Sequence, residues 1–168
     1  MQSLRDVDWD ALEWAPAAGR GWELRAGKEL VARLRFIAPA TLTAEAEATE
    51  GQWRLALTGM MLRKLTVHEA AAPGGPPLMA VRPNLRHIWT LPRADGSALR
   101  WQAPGLVARD WVCTDQDRRP LITLHLIAAD LTGRVVLQKA ARAVPGLSLA
   151  VVIGWYLLMA YHMDEGAF

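Results

Sequence analysis

The feature that most constrains this 168-residue chain lies near its end: from Ala143 to Tyr161 there is no charged residue. Arg142 precedes the run, and Asp164 and Glu165 follow it. Pro145 and Gly146 open it, Ser148 is the expected N-cap, and Leu149 to Met163 reads LAVVIGWYLLMAYHM. As a helix this segment is roughly 22 Å long, at about 1.5 Å per residue. A helix apolar on every side is buried, either in a protein core or in a membrane. As a membrane span it is short against a hydrocarbon layer of ~30 Å, although the nineteen uncharged residues from Ala143 to Tyr161 come within range. Trp155 and Tyr156 would then sit mid-span, where membrane aromatics are disfavoured. As a core helix it needs a surrounding wall with an apolar inner face, and this is the favoured reading.

The rest of the chain supplies the strands for such a wall. Trp22 to Arg25 and Lys28 to Phe36 flank a turn at Ala26-Gly27; in the second arm Leu30, Ala32, Leu34 and Phe36 alternate with Glu29, Val31, Arg33 and Arg35. That period of two marks a strand with one buried face. Thr43 to Thr49 and Gln52 to Leu57 form a second hairpin around Glu50-Gly51, with Ala44, Ala46 and Ala48 on one face, small enough to leave room for something inside. Further pairs follow: Lys64–Glu69 with Leu78–Val81 across AAPGGPP, His87–Leu91 with Ala98–Gln102, and Asp110–Thr114 with Leu121–Ile127. A last strand runs from Gly133 to Gln138, and a short one lies near Leu12 to Trp14. The total is eleven or twelve strands, with turn centres near Gly27, Gly51, Gly74, Gly96 and Asp117 at nearly even spacing. Such regularity points to a sandwich, propeller or barrel made of consecutive antiparallel neighbours. An eight-stranded barrel is filled by its own side chains, whereas a wider one accommodates a central helix.

Composition narrows the function classes. Nineteen basic and seventeen acidic residues give a net charge of +2, too even to imply nucleic-acid binding, and no nucleic-acid partner is expected. Cys113 is the sole cysteine, which excludes an intrachain disulfide or a cysteine-rich metal site. His68, His87, His125 and His162 have no metal-ligand spacing, so no metal is expected. Asp115 and Asp117 lack the remaining ligands of a calcium loop and read as turn residues. No phosphate-binding glycine loop or nucleophile elbow occurs, and the expectation is a non-enzyme without a cofactor. Two basic pairs, Arg63-Lys64 and Arg118-Arg119, are the candidates for an anion or lipid site; the alternative is solubilising charge beside strand ends. Arg82, Arg86, Arg93, Arg100 and Arg109 face one acid, Asp95, across residues 82–109, and Arg100 and Trp101 should point to opposite sides of their strand. The N-terminus has no secretory pattern, and the expected location is cytoplasmic, with membrane association as a further option.

Four passages carry a family resemblance: WELRAGKELVARLRF (Trp22 to Phe36), AEATEGQWRLALTG (Ala46 to Gly59), WVCTDQDRRPLITLHL (Trp111 to Leu126) and VPGLSLAVVIGWYLLMAYHMDE (Val144 to Glu165). The chain resembles the tubby C-terminal-like superfamily, which includes LURP-one-related proteins and phospholipid scramblases, and looks like a small bacterial relative. The resemblance implies a mainly β fold: a closed antiparallel barrel of about twelve strands around a hydrophobic C-terminal helix. On that basis residues 1–20 are a lead-in, and residues 21–168 are one barrel domain with its central helix at 147–163. It also implies a binding module for phospholipid, a membrane surface or another hydrophobic or anionic ligand. The alternatives are a protein anchored in the membrane by its C-terminal helix with scramblase-like activity, or a structural protein-interaction domain. The resemblance assigns no binding residue, because no dense basic lipid-binding signature is present.

Overall fold

In the computed structural model, residues 1–59, 63–72, 74–103, 110–127 and 129–164 are described. The strands are β1 (Leu12–Ala17), β2 (Gly21–Ala26), β3 (Glu29–Ala38), β4 (Thr43–Ala48), β5 (Gly51–Thr58), β6 (Lys64–Glu69) and β7 (Met79–Val81). They continue with β8 (Trp89–Pro92), β9 (Ala98–Gln102), β10 (Asp110–Thr114), β11 (Pro120–Ile127) and β12 (Thr132–Leu137), and the chain ends in helix α1 (Leu147–Asp164). All twelve strands form one antiparallel sheet in the order β7-β6-β5-β4-β3-β2-β1-β12-β11-β10-β9-β8, a nearly closed barrel. Consecutive strands pair with one another except β7 and β8, the two ends of the sheet, and β1 joins its two halves by pairing with β12 (Glu13 opposite Arg134, Trp14 opposite Gly133). The lead-in segment therefore supplies a wall strand, and Leu4 within it is fully buried.

The period-two alternation sets which side chains enter the barrel. Leu34, Phe36, Trp53, Leu55, Trp101 and Leu124 are buried, while Arg33 and Arg35 are exposed and Arg54 and Arg100 half-buried on the outer face. Outside, carboxylates sit between arginines across the strands. Glu23 accepts from Arg25 at 2.7 Å and pairs with Arg33 at 3.1 Å; Glu45 pairs with Arg54 at 3.1 Å and Arg35 at 3.4 Å. The hydrogen bonds from Arg25 and Arg54 lead the effects that hold these two carboxyls below the usual range.

Inside lies α1. From Leu147 to Ala160 every residue is buried except Leu149, which is half-buried. Each fully buried aliphatic side chain contributes ~1.5–3 kcal/mol before the cost of ordering it. The inward alanines of β3 and β4 (Ala32, Ala44, Ala46, Ala48) let this part of the wall approach the helix, and Phe36 stacks on Tyr156 with ring centroids 5.6 Å apart. Wall and helix also interlock through two glycines. Trp155 of α1 lies over Gly133 of β12, where an added Cβ would sit 2.1 Å from its ring, and stacks on Trp14 at 5.5 Å. Trp101 of β9 lies over Gly154 of α1 in the same manner. The indole nitrogens of Trp14, Trp89 and Trp155 are buried without a partner, so lumen filling outweighs hydrogen bonding at these three positions.

The helix starts earlier than the expected cap. Ala150 N–H donates to the Gly146 carbonyl at 3.0 Å, and Gly146 has φ +67°. A glycine tolerates this left-handed conformation and turns the chain into the helix directly after Pro145. Ser148 therefore lies in the first turn, with its hydroxyl buried and unpartnered, and is not the N-cap. No helix among the described residues is long and apolar enough to cross a membrane.

Candidate functional site

An up-and-down wall sends alternate connections to opposite ends of the barrel. The end at the C-terminus of α1 receives residues 17–21, 38–43, 58–59, 63–64, 81–89, 102–103, 127 and 129–132, with Asp110 at the start of β10. Arg63 marks it, its guanidinium 4.9 Å from the centre of the Tyr161 ring, as does the hydrogen bond from the Tyr156 hydroxyl to the Leu42 carbonyl. The described residues at this end carry Arg20, Arg63, Lys64, Arg82 and Arg86 against Asp110, Asp130 and Asp164. The other end is slightly acidic: Arg5, Lys28, Arg93, Arg118, Arg119, Lys139 and Arg142 stand there with Asp6, Asp8, Asp10, Glu29, Glu50, Glu69, Asp95, Asp115 and Asp117. The barrel is thus electrically polar from end to end, although its net charge is small.

The most prominent element of the basic end is the β7–β8 connection. Asn84 Oδ1 accepts from the amides of Arg86 (2.9 Å) and Ile88 (3.0 Å), and Asn84 exchanges further backbone bonds with His87 and Ile88. Pro83 bridges to Trp89 beneath it. This self-bonded turn is typical of asparagine. It holds Leu85 out at 102% of its reference exposure, between the exposed Arg82 and Arg86. Among the described residues no carboxylate lies within ion-pair distance of Arg20, Arg82 or Arg86, in contrast to the paired arginines of the outer wall. Ile37 and Ile127 are the other exposed large apolar residues near this rim.

The two sequence-predicted basic pairs are not brought together. Arg63 and Lys64, both half-buried, are at the basic end, and Arg118 and Arg119 are at the opposite end. There Arg119 is bound by Asp115 and Asp117, each at 2.8 Å, while Arg118 is exposed at φ +64°. Asp115 also accepts from the amides of Asp117 and Arg119, the turn role expected of it. Arg109 lies outside the described residues. Leu85 and Arg20 were not singled out from the sequence, although the absence of any acid from Ala70 to Ala94 marks the segment around Leu85.

Other reactive groups are buried or isolated. Cys113 is fully buried, and desolvation pushes its thiol up to about 12. Burial likewise raises the Tyr156 hydroxyl well above its ordinary value. His125 and Asp110, opposite one another in the β10–β11 register, are hydrogen-bonded on the outer wall, a pairing that strand register alone creates. Among the described residues no group of three His, Cys, Asp or Glu side chains is placed to hold a metal. No family model matches the chain, and neither a curated protein nor a solved structure matches it.

Proposed function

We propose that this chain is a non-enzymatic, tubby-like barrel module that docks on anionic phospholipid membranes through the barrel end at the C-terminus of α1. The observation that carries the reading is Leu85, fully exposed on a self-bonded turn between two arginines that have no carboxylate partner among the described residues. An apolar side chain at a rigid tip gains by entering the acyl boundary, and flanking bases gain ~1 kcal/mol each near an anionic surface. Arg20, Arg63 and Lys64 on the same rim extend the attractive field, and the slightly acidic opposite end gives the approach a direction. The twelve-stranded barrel around a C-terminal helix agrees with the tubby-like resemblance, and the lipid reading agrees with what that resemblance implies.

Vesicle flotation tests it. The protein is expected to float with phosphatidylserine-containing vesicles, less with pure phosphatidylcholine, and less in high salt. Arg86→Gln should weaken binding by ~1 kcal/mol, about fivefold, and Leu85→Ser should weaken it independently of salt. Arg118→Gln, at the far end, should leave binding unchanged. Absence of flotation, or equal losses for Arg86→Gln and Arg118→Gln, would overturn the reading.

A further inference from the structure

The barrel is not sealed all the way along the seam between β7 and β8. The pairing across it among the described residues is the single Pro83–Trp89 bridge at the basic end. Continued in that register, the ladder would set Val81 opposite Leu91, Ala80 opposite Pro92, and Met79 opposite Arg93. It does not continue. Pro92 has no N–H to donate, and β7 and β8 are only three and four residues long. The strands part toward the N-terminus of α1, and a cavity of about 340 Å³ opens there. Met79, Leu91, Leu99, Leu149 and Ile153 supply its apolar walls, and Arg93 and Asp95 stand among its lining residues. Leu149, the residue of the buried helix stretch left half-covered, lies on this cavity.

We propose that this seam pocket binds a single-chain anionic amphiphile, with the alkyl chain against α1 and a carboxylate on Arg93. The lining selects the chain, since the side walls are almost entirely hydrocarbon. The volume selects one chain over two, because about 340 Å³ lies at the lower end of the ~300–1,000 Å³ range of ligand pockets. The charge selects the head. The Arg93 side chain is four-fifths covered, and its Nη2 is held by Asp95 Oδ2 at 3.3 Å, a loose contact to a carboxylate that is itself 55% exposed. A ligand carboxylate can replace Asp95 at shorter distance and in less solvent, where charge-assisted bonds are stronger. Asp95 remains anchored after such an exchange, because its other oxygen accepts from the Ser97 amide at 2.9 Å and from the Ser97 hydroxyl. The site is at the opposite end from the proposed membrane face, so the two proposals stand or fall separately.

Titration calorimetry with decanoate and with decanol, both below their aggregation concentrations, tests the assignment on the full chain. Decanoate should bind one-to-one and about tenfold more tightly than decanol, the margin of a hydrogen bond to a charged group. Arg93→Gln should bring decanoate down to the decanol affinity and leave decanol unchanged. Asp95→Asn, which keeps the oxygen that Ser97 needs, should tighten decanoate because the internal competitor is gone. Leu149→Trp should fill the pocket and abolish both, with near-ultraviolet circular dichroism confirming the fold. No decanoate binding, equal affinity for decanoate and decanol, or decanoate affinity indifferent to all three variants overturns the proposal.

Discussion

The indole of Trp101 occupies the space that a side chain at Gly154 would need. A Cβ on Gly154 would lie 2.3 Å from Trp101 Cζ2, and the same indole donates from Nε1 to the Ala150 carbonyl at 3.1 Å. That carbonyl is the i−4 helical acceptor for Gly154, so one wall residue rests on one turn of the helix through both shape and hydrogen bond. In an exposed helix Gly→Ala gains about 1 kcal/mol. Here the clash reverses the sign: Gly154→Ala should destabilise by ~1–3 kcal/mol in urea denaturation, and Gly154→Leu by more. Trp101→Phe removes the indole atoms in conflict, so the double variant should lose less than the sum of the singles.

Gly133 gives the reciprocal test from the wall. Its φ is not in the left-handed region, and alanine would cost nothing in backbone strain. Gly133→Ala should nonetheless destabilise by ~1–3 kcal/mol, because the new methyl meets Trp155 at 2.1 Å. Pairing it with Trp155→Leu should recover part of the loss, read from the midpoint of thermal unfolding.

Cys113 should be chemically silent in the folded protein. A thiol that is fully buried and raised to about 12 holds almost no thiolate near neutral pH. Ellman's reagent should register no reaction until denaturant is added, and then one thiol per chain.

The arginine-flanked carboxylates predict an acid limb. Glu23 and Glu45 have folded-state values depressed below 4.5, chiefly by the hydrogen bonds from Arg25 and Arg54. Their contribution is complete above the unfolded value and is lost as pH falls through the lower folded value. The thermal midpoint should be level above about pH 5 and decline below 4.5. A Glu23→Gln/Glu45→Gln variant should decline less steeply, and high salt should narrow the difference, since exposed pairs contribute only ~0–1 kcal/mol each.

The hairpins were legible because one face of each is wet. Leu34 and Phe36 alternate with Arg33 and Arg35, and turn residues such as Gly27 and Gly96 punctuate the strands, each with a positive φ. The internal helix was legible from its uncharged length. The expected bound at residue 147 agrees with the start of α1, but the cap does not: Ser148 satisfies the usual cap preference, and only the φ of Gly146 reveals that the turn comes two residues sooner. The candidate site was half legible. Arg63 and Lys64 lie at the basic end, but sorting arginines into paired and unpaired needs the cross-strand register that sets Glu45 between Arg35 and Arg54. The seam pocket escaped sequence reading altogether, because Met79, Arg93 and Leu149 meet only after the ring has closed.

The most direct test of membrane docking through one end is a local one. Because Cys113 is shielded, a cysteine at position 85 or 118 can be labelled selectively with an environment-sensitive nitrobenzoxadiazole dye. On adding phosphatidylserine-containing vesicles, the label on Leu85→Cys should brighten and shift to the blue as it enters the acyl boundary, while that on Arg118→Cys, at the opposite end, should not change. An unchanged signal at position 85, or equal changes at both positions, would contradict the account.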